Sequence, residues 1–123
     1  MSAYELELLD SRTSSTVRVA LAGELDLTNA RELEERLLES VEDSSQLVVD
    51  VNRVVFMDSA ALHVLFRIAR RLGEGGLTVV VDPGAPIERA LSIVGAHEAM
   101  AVVTTAGALG TDDSARFPPV PNG

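Results

Sequence analysis

The stretch LVVDVNRVVFMDSAALHVLFRIARRL, residues 47–72, decides the fold because its hydrophobic pattern changes partway along. It opens with LVVDV (47–51), a β-branched run typical of a central strand covered on both faces, in which Asp50 is the polar exception. From Ser59 to Leu72 the apolar residues recur at helical spacing, with arginines outside the apolar face. Residues 52–58 between them are predicted to be a connector with apolar anchors. A buried strand followed closely by an amphipathic helix indicates an α/β fold.

The flanking sequence repeats this alternation of strands and helices. The predicted elements outside residues 47–72 are strands 4–9, 16–22 and 77–81, a first helix whose apolar face runs from Ala30 to Val41, a helix 85–94, and a short final strand 100–104. Thr28 or Asn29 is the predicted cap of the first helix, and Glu32 three residues after Asn29 matches a capping box. The sequence therefore predicts an α/β fold of order β-β-α-β-α-β-α-(β), with four to five strands in a mixed sheet and right-handed crossovers.

Length and composition fit one domain. The chain has 123 residues, of which 46% are hydrophobic and 24% charged, as in an ordinary soluble globule. Residues 1–105 are predicted to form the domain. Residues 106–123 hold three of the 5 prolines and no sustained period, which predicts a disordered proline-rich tail.

Charge and residue usage exclude several classes of function. The net charge of −9 argues against nucleic acid or an anionic membrane as a partner. The chain has no cysteine and no lysine, which excludes disulfides, thiolate metal sites and lysine chemistry. It has only two histidines, which argues against a histidine-rich metal site. We therefore expect no metal and no cofactor. Neither a signal peptide nor an apolar run of about 18 residues is present, so a cytoplasmic location is expected.

Ser59 is the candidate site that position alone singles out. It lies at the predicted start of an amphipathic helix, where unpaired backbone N–H groups and the positive end of the helix dipole favour an anion. A phosphate on Ser59 would be stabilised there by roughly 0.3 to 1 kcal/mol and would add about −1.5 to −2 charges beside Asp58. A docked partner would then be repelled. The alternative from position is that Ser59 or Asp58 is simply the helix N-cap.

Other chemistries fit this segment less well. A phospho-accepting Asp58, as in receiver domains, needs a lysine that the chain lacks. A serine hydrolase needs a nucleophile elbow and an oriented base, but His63 has no carboxylate placed to orient it and is interpreted as a bystander. His97 is assigned to a loop without a role. Glu24 and Asp26, between the second strand and first helix, either bond nearby backbone amides or form a binding rim beside Ser59.

Two segments carry a resemblance to a known family. GELDLTNARELEERL (23–37) and LVVDVNRVVFMDSAALHVL (47–65) resemble, in order and spacing, the STAS domain family, specifically bacterial anti-sigma factor antagonists. The resemblance implies a non-enzymatic switch. Its partner is an anti-sigma factor serine kinase with a histidine-kinase-like ATPase fold, whose binding frees the sigma factor. That kinase phosphorylates the serine matched by Ser59, and a PP2C-type phosphatase removes the phosphate.

Position and resemblance together predict one partner-binding set: Glu24, Asp26, Asp58, Ser59, Ala60, Ala61 and His63. Asp26 and Asp58 match acidic positions of the family. Ala60 and Ala61 depart from it, because family members usually have Ser or Thr and then Gly there. The C-terminus also departs, since relatives often end in an amphipathic helix. Ala60 and Ala61 favour the alternative function, a STAS assembly module of a transporter or signalling complex that is never phosphorylated.

Overall fold

The computed structural model describes residues 3–10, 15–41, 46–93, 95 and 100–104. They form, in chain order, strand β1 (Tyr4–Asp10), strand β2 (Thr16–Leu25), helix α1 (Ala30–Ser40), strand β3 (Gln46–Met57), helix α2 (Ser59–Leu72), strand β4 (Leu77–Val80), helix α3 (Glu88–Ile93) and strand β5 (Ala101–Val103). The predicted fold class and element order are confirmed. The predicted tail and His97 lie outside the described residues.

The five strands form one mixed sheet in the order β1-β2-β3-β4-β5. The β1–β2 pair is antiparallel and the other three pairs are parallel. Parallel neighbours in chain order with right-handed crossovers place their helices on one face of the sheet. Accordingly, residues of all three helices share one core with alternate residues of the strands, among them Leu33, Leu65, Leu91, Val19 and Val49.

Strand β3 is the middle of the sheet and is covered on both faces at its start, as predicted. Val49 faces the main core at 0% exposure, while Val48 is buried with Val80 in a small separate cluster. The predicted end of the strand at residue 51 was wrong. Pairing with β2 shifts register after Asp50, whose carboxylate accepts a hydrogen bond from the Asn52 N–H, and then continues to Met57.

The first helix begins at Ala30, with Asn29 as its cap residue, but the predicted capping box is absent. The Asn29 side chain makes no bond to the helix. Glu32 instead accepts a hydrogen bond at 3.0 Å from the Tyr4 hydroxyl, which itself accepts one from Arg36 at 3.1 Å. The Arg36 guanidinium lies 5.5 Å from the Tyr4 ring centroid. Glu32 therefore links α1 to β1 through its hydrogen bond with Tyr4.

Helix α2 begins and ends at the predicted residues. Its C-cap, Gly73, has φ of +86°, a conformation that residues with a side chain rarely adopt. Helix α3 is shorter than predicted, and β2 is longer, so that Glu24 belongs to a strand rather than to a loop. In the described part of the chain, no helix is both long and apolar enough to cross a bilayer.

Candidate functional site

The site forms where β2 and β3 end side by side. These strands are parallel, so their carboxyl ends meet at one edge of the sheet, and their last residues, Leu25 and Met57, are paired. The segment 26–29 leaves this edge toward α1, and Asp58 leads directly into α2. The Glu24–Asp26 segment and the Ser59 end of α2 therefore lie at the same edge of the sheet, which is the arrangement that one of the two sequence interpretations requires.

Asp58 ties the two segments together. One carboxylate oxygen, Oδ1, accepts a hydrogen bond from the Ala61 N–H at 3.1 Å and so caps α2. The other, Oδ2, accepts from the Leu27 N–H at 3.1 Å. The Asp58 N–H in turn donates to the Leu25 carbonyl at 3.1 Å. Asp58 thus fixes the start of the helix against the 26–29 segment, and it is the N-cap that the sequence left open between Asp58 and Ser59.

The 26–29 segment is also held from within. Asp26 Oδ1 accepts a hydrogen bond from the Thr28 N–H at 2.9 Å and one from the Thr28 hydroxyl. Asn29 is buried, with 7% of its surface exposed; its Oδ1 accepts from the Asp26 N–H and its Nδ2 donates to the Glu24 carbonyl, both at 3.0 Å. Asp26 therefore bonds the backbone of its own turn, as one of the two sequence interpretations has it, while its part in a binding rim stays a prediction.

Ser59 is exposed and is the first residue of α2. Asp58 already satisfies the Ala61 N–H, so that donor is not left for a phosphate on Ser59, contrary to the sequence-based expectation. His63, one helical turn after Ser59, is exposed, and Ala60 is partly buried. The methyl group of Ala61 is fully buried at 0%, so this side chain belongs to the core rather than to a partner-binding surface.

A groove of about 500 Å³ runs between α1 and α2 and opens beside the 26–29 segment. We call it the α1–α2 groove, and its lining residues are Leu27, Ala30, Arg31, Glu34, Ala60, His63 and Arg67. Arg67 Nη2 and Glu34 Oε1 form an ion pair at 2.7 Å that links the two helices. The hydrogen bond from this guanidinium holds the pKa of the Glu34 carboxyl below its ordinary value.

Several residues of this region escaped the sequence analysis. Asn29 was predicted only as a helix cap, whereas its side chain bonds the backbone of Asp26 and Glu24, three and five residues earlier in the chain. Leu27 is 77% exposed, and Val55 and Phe56, at the end of β3, are about half exposed. Leu27 carried a usable signal, because it is a single apolar residue within a polar connector. Val55 and Phe56 were hidden by the assignment of 52–58 to a connector.

Fold and site together define a STAS-type α/β module. The STAS domain model matches residues 10–109, and the chain belongs to the STAS domain family. This confirms the resemblance identified in the sequence. Within the residues that the structure describes, no group of three histidines or carboxylates is placed to hold a metal ion.

Three relatives illustrate the likeness. The anti-sigma-F factor antagonist RsfB of Mycobacterium tuberculosis is 30% identical over 88 residues, which cover 71% of this chain and 72% of RsfB. The crystal structure of an anti-sigma factor antagonist from Mycobacterium paratuberculosis is 26% identical, with a TM-score of 0.74, covering 88% of this chain and 92% of that one. The Bacillus cell fate determinant SpoIIAA in its phosphorylated form is 21% identical, with a TM-score of 0.61, covering 88% of this chain and 97% of that one, and shares the fold.

Proposed function

We propose that this chain is an anti-sigma factor antagonist that binds an anti-sigma factor serine kinase, releases the sigma factor, and is switched off by phosphorylation of Ser59. The observation that carries the proposal is an exposed serine at the start of α2, held beside the 26–29 segment by Asp58. The mycobacterial relatives, which are anti-sigma factor antagonists, support it. Such a switch acts in the cytoplasm, where transcription takes place.

Phosphorylation changes the charge of the docking surface. A phosphate on Ser59 adds about −1.5 to −2 charges directly after Asp58 and near Asp26, in a chain whose net charge is already −9. Both oxygens of Asp58 are held by backbone N–H groups, so its charge stays beside the phosphate. Each 1.4 kcal/mol of charge repulsion or added desolvation cost weakens binding tenfold. A few such increments separate the complex.

The same modification leaves the fold intact. Ser59 is exposed, and α2 is capped by Asp58 rather than by the serine hydroxyl. Phosphorylation therefore breaks no hydrogen bond that holds the helix. An exposed phosphoserine is also open to a PP2C-type phosphatase, which resets the switch without unfolding.

The test uses the purified chain, ATP and a kinase-fold anti-sigma factor from the same genome. We expect one phosphate, located on Ser59 by mass spectrometry, with Ser92→Ala as a control because Ser92 is also an exposed serine. Ser59→Ala should retain binding and lose modification, whereas Ser59→Asp should weaken binding at least tenfold. Modification elsewhere, or equal affinity of the two Ser59 variants, would contradict the switch.

The second candidate function is a STAS assembly module that is never phosphorylated. It is favoured by Ala60, which places a methyl group in the α1–α2 groove next to Ser59, at a position where the family resemblance implies a hydroxyl. In that case the chain would co-purify with a transporter or signalling scaffold, and kinase with ATP would leave Ser59 unmodified.

A further inference from the structure

The α1–α2 groove has a charge opposite to that of the molecule as a whole. The chain carries a net charge of −9, yet the groove presents Arg31, Arg67 and the imidazole of His63 against a single carboxylate, Glu34. Glu34 is already paired with Arg67 at 2.7 Å. In the described residues, Arg31 has neither an ion pair nor a side-chain hydrogen bond. The groove therefore keeps one uncompensated positive charge in an otherwise acidic protein.

The remaining lining residues of the groove are apolar, and two of the three are alanines. Ala60, which is partly buried, and Ala30, of which 6% is exposed, present only methyl groups to the groove, one from each helix. Leu27 stands at the mouth with 77% of its surface exposed, although its N–H is fixed by Asp58. An exposed leucine on a fixed backbone gains burial on binding without the entropic cost of ordering a loop. A methyl-lined groove beside a free arginine suits an apolar side chain next to a carboxylate.

From this complementarity we infer that the α1–α2 groove receives a segment of the anti-sigma factor in which an acidic residue neighbours an apolar one. The carboxylate pairs with Arg31, and the apolar side chain packs on Leu27, Ala30 and Ala60. This inference rests on the proposed function and names the chemistry that selects the partner. It also places the partner across the Ser59 end of α2, because Ala60 follows Ser59 directly.

Charge reversal provides the first test, with the anti-sigma factor that binds the unaltered chain as the probe. Arg31→Glu should raise Kd at least tenfold. Arg89→Glu is the control: it is an exposed arginine on α3, outside the groove, and both changes shift the net charge by two units. It should change Kd less than twofold. Circular dichroism confirms that both variants fold, since both side chains are exposed.

The second test identifies the bound segment directly. The chain has no cysteine, so Leu27→Cys takes a maleimide benzophenone at that position alone, and Ser92→Cys on α3 serves as the control. Cross-linking should capture, from Leu27→Cys only, an anti-sigma factor peptide with Asp or Glu beside an apolar residue. A captured peptide without a carboxylate, or equal Kd values for the two arginine variants, would overturn this inference but leave the proposed function standing. Failure of the unaltered chain to bind any anti-sigma factor would overturn the proposed function as well.

Discussion

The two hydrogen bonds of the Asp58 carboxylate can be measured separately by substitution, since each carboxylate oxygen makes one of them. Asp58→Ala removes the cap on the Ala61 N–H and the bond to the Leu27 N–H, each 3.1 Å long. Loss of an N-cap costs typically about 1 kcal/mol, and the second bond contributes about 1 kcal/mol because the exposed Leu27 N–H can turn to water. We expect the free energy of unfolding to fall by about 2 kcal/mol. With an unfolding entropy of about 2.1 cal/mol/K per residue, Tm then falls by about 8 °C.

Asp58→Asn distinguishes the two bonds. Asparagine caps helices as well as aspartate does, but its second polar group is an NH₂, which cannot accept from the Leu27 N–H. We therefore expect a loss of about 1 kcal/mol, with the cap retained. Urea unfolding measures both free energies, and amide hydrogen exchange should show faster exchange of the Leu27 N–H in both variants. The exposed Glu39→Ala on α1 is the control and should stay within about 0.5 kcal/mol. Equal losses for Asn and Ala, or a loss below about 0.5 kcal/mol for Ala, would refute this account of Asp58.

Three further perturbations test the structure around the site. Gly23→Ala places a Cβ 2.5 Å from the Ala3 carbonyl oxygen, at a residue with φ of +98°. The control Gly84→Ala has a similar φ of +91°, but its Cβ meets no atom within 4 Å. Thermal unfolding should show that Gly84→Ala lowers the free energy of unfolding by about 1 kcal/mol and that Gly23→Ala lowers it by at least twice as much. Asn29→Ala removes two part-buried hydrogen bonds, to the Asp26 N–H and the Glu24 carbonyl, and should lower the free energy of unfolding in urea by about 1 to 3 kcal/mol, with an undisturbed m-value. Because Arg67 lowers the pKa of Glu34, the pair stabilises the fold above the ordinary carboxyl pKa and loses that contribution as pH falls through the lowered value. The stability difference between the unaltered chain and Glu34→Gln should therefore shrink on acidification through this range, and a difference independent of pH would contradict the pairing.

Elements with a complete local signal were predictable from the sequence. Helix α2 has a regular apolar face, a capping aspartate and a closing glycine, and the structure places its ends at the predicted residues. The predicted strand β3 ended too early, at residue 51, because Asp50 and Asn52 are typical of a strand end. They form instead a local side-chain bond at a register shift, and long-range pairing with β2 carries the strand on to Met57.

The sequence indicated part of the candidate site but none of its long-range hydrogen bonds. Position singled out Ser59 and Asp58 without showing that Asp58 bonds across 31 residues to Leu27. Glu32 matched a capping pattern, but tertiary contact with Tyr4 prevailed over that local signal. The α1–α2 groove combines residues of two helices separated by strand β3, so no window of sequence contains it.

The close approach of Ala3 to the Gly23 region determines how this domain can be joined to other polypeptides. The Ala3 carbonyl accepts a hydrogen bond at 2.9 Å from the Glu24 N–H, only two residues before the segment that Asp58 secures. Anything fused ahead of Ala3, such as an affinity tag or a second domain, emerges beside the surface proposed to meet the anti-sigma factor. An N-terminal fusion would thus compete for that surface or screen it, and reagents for binding assays are better attached elsewhere on the chain.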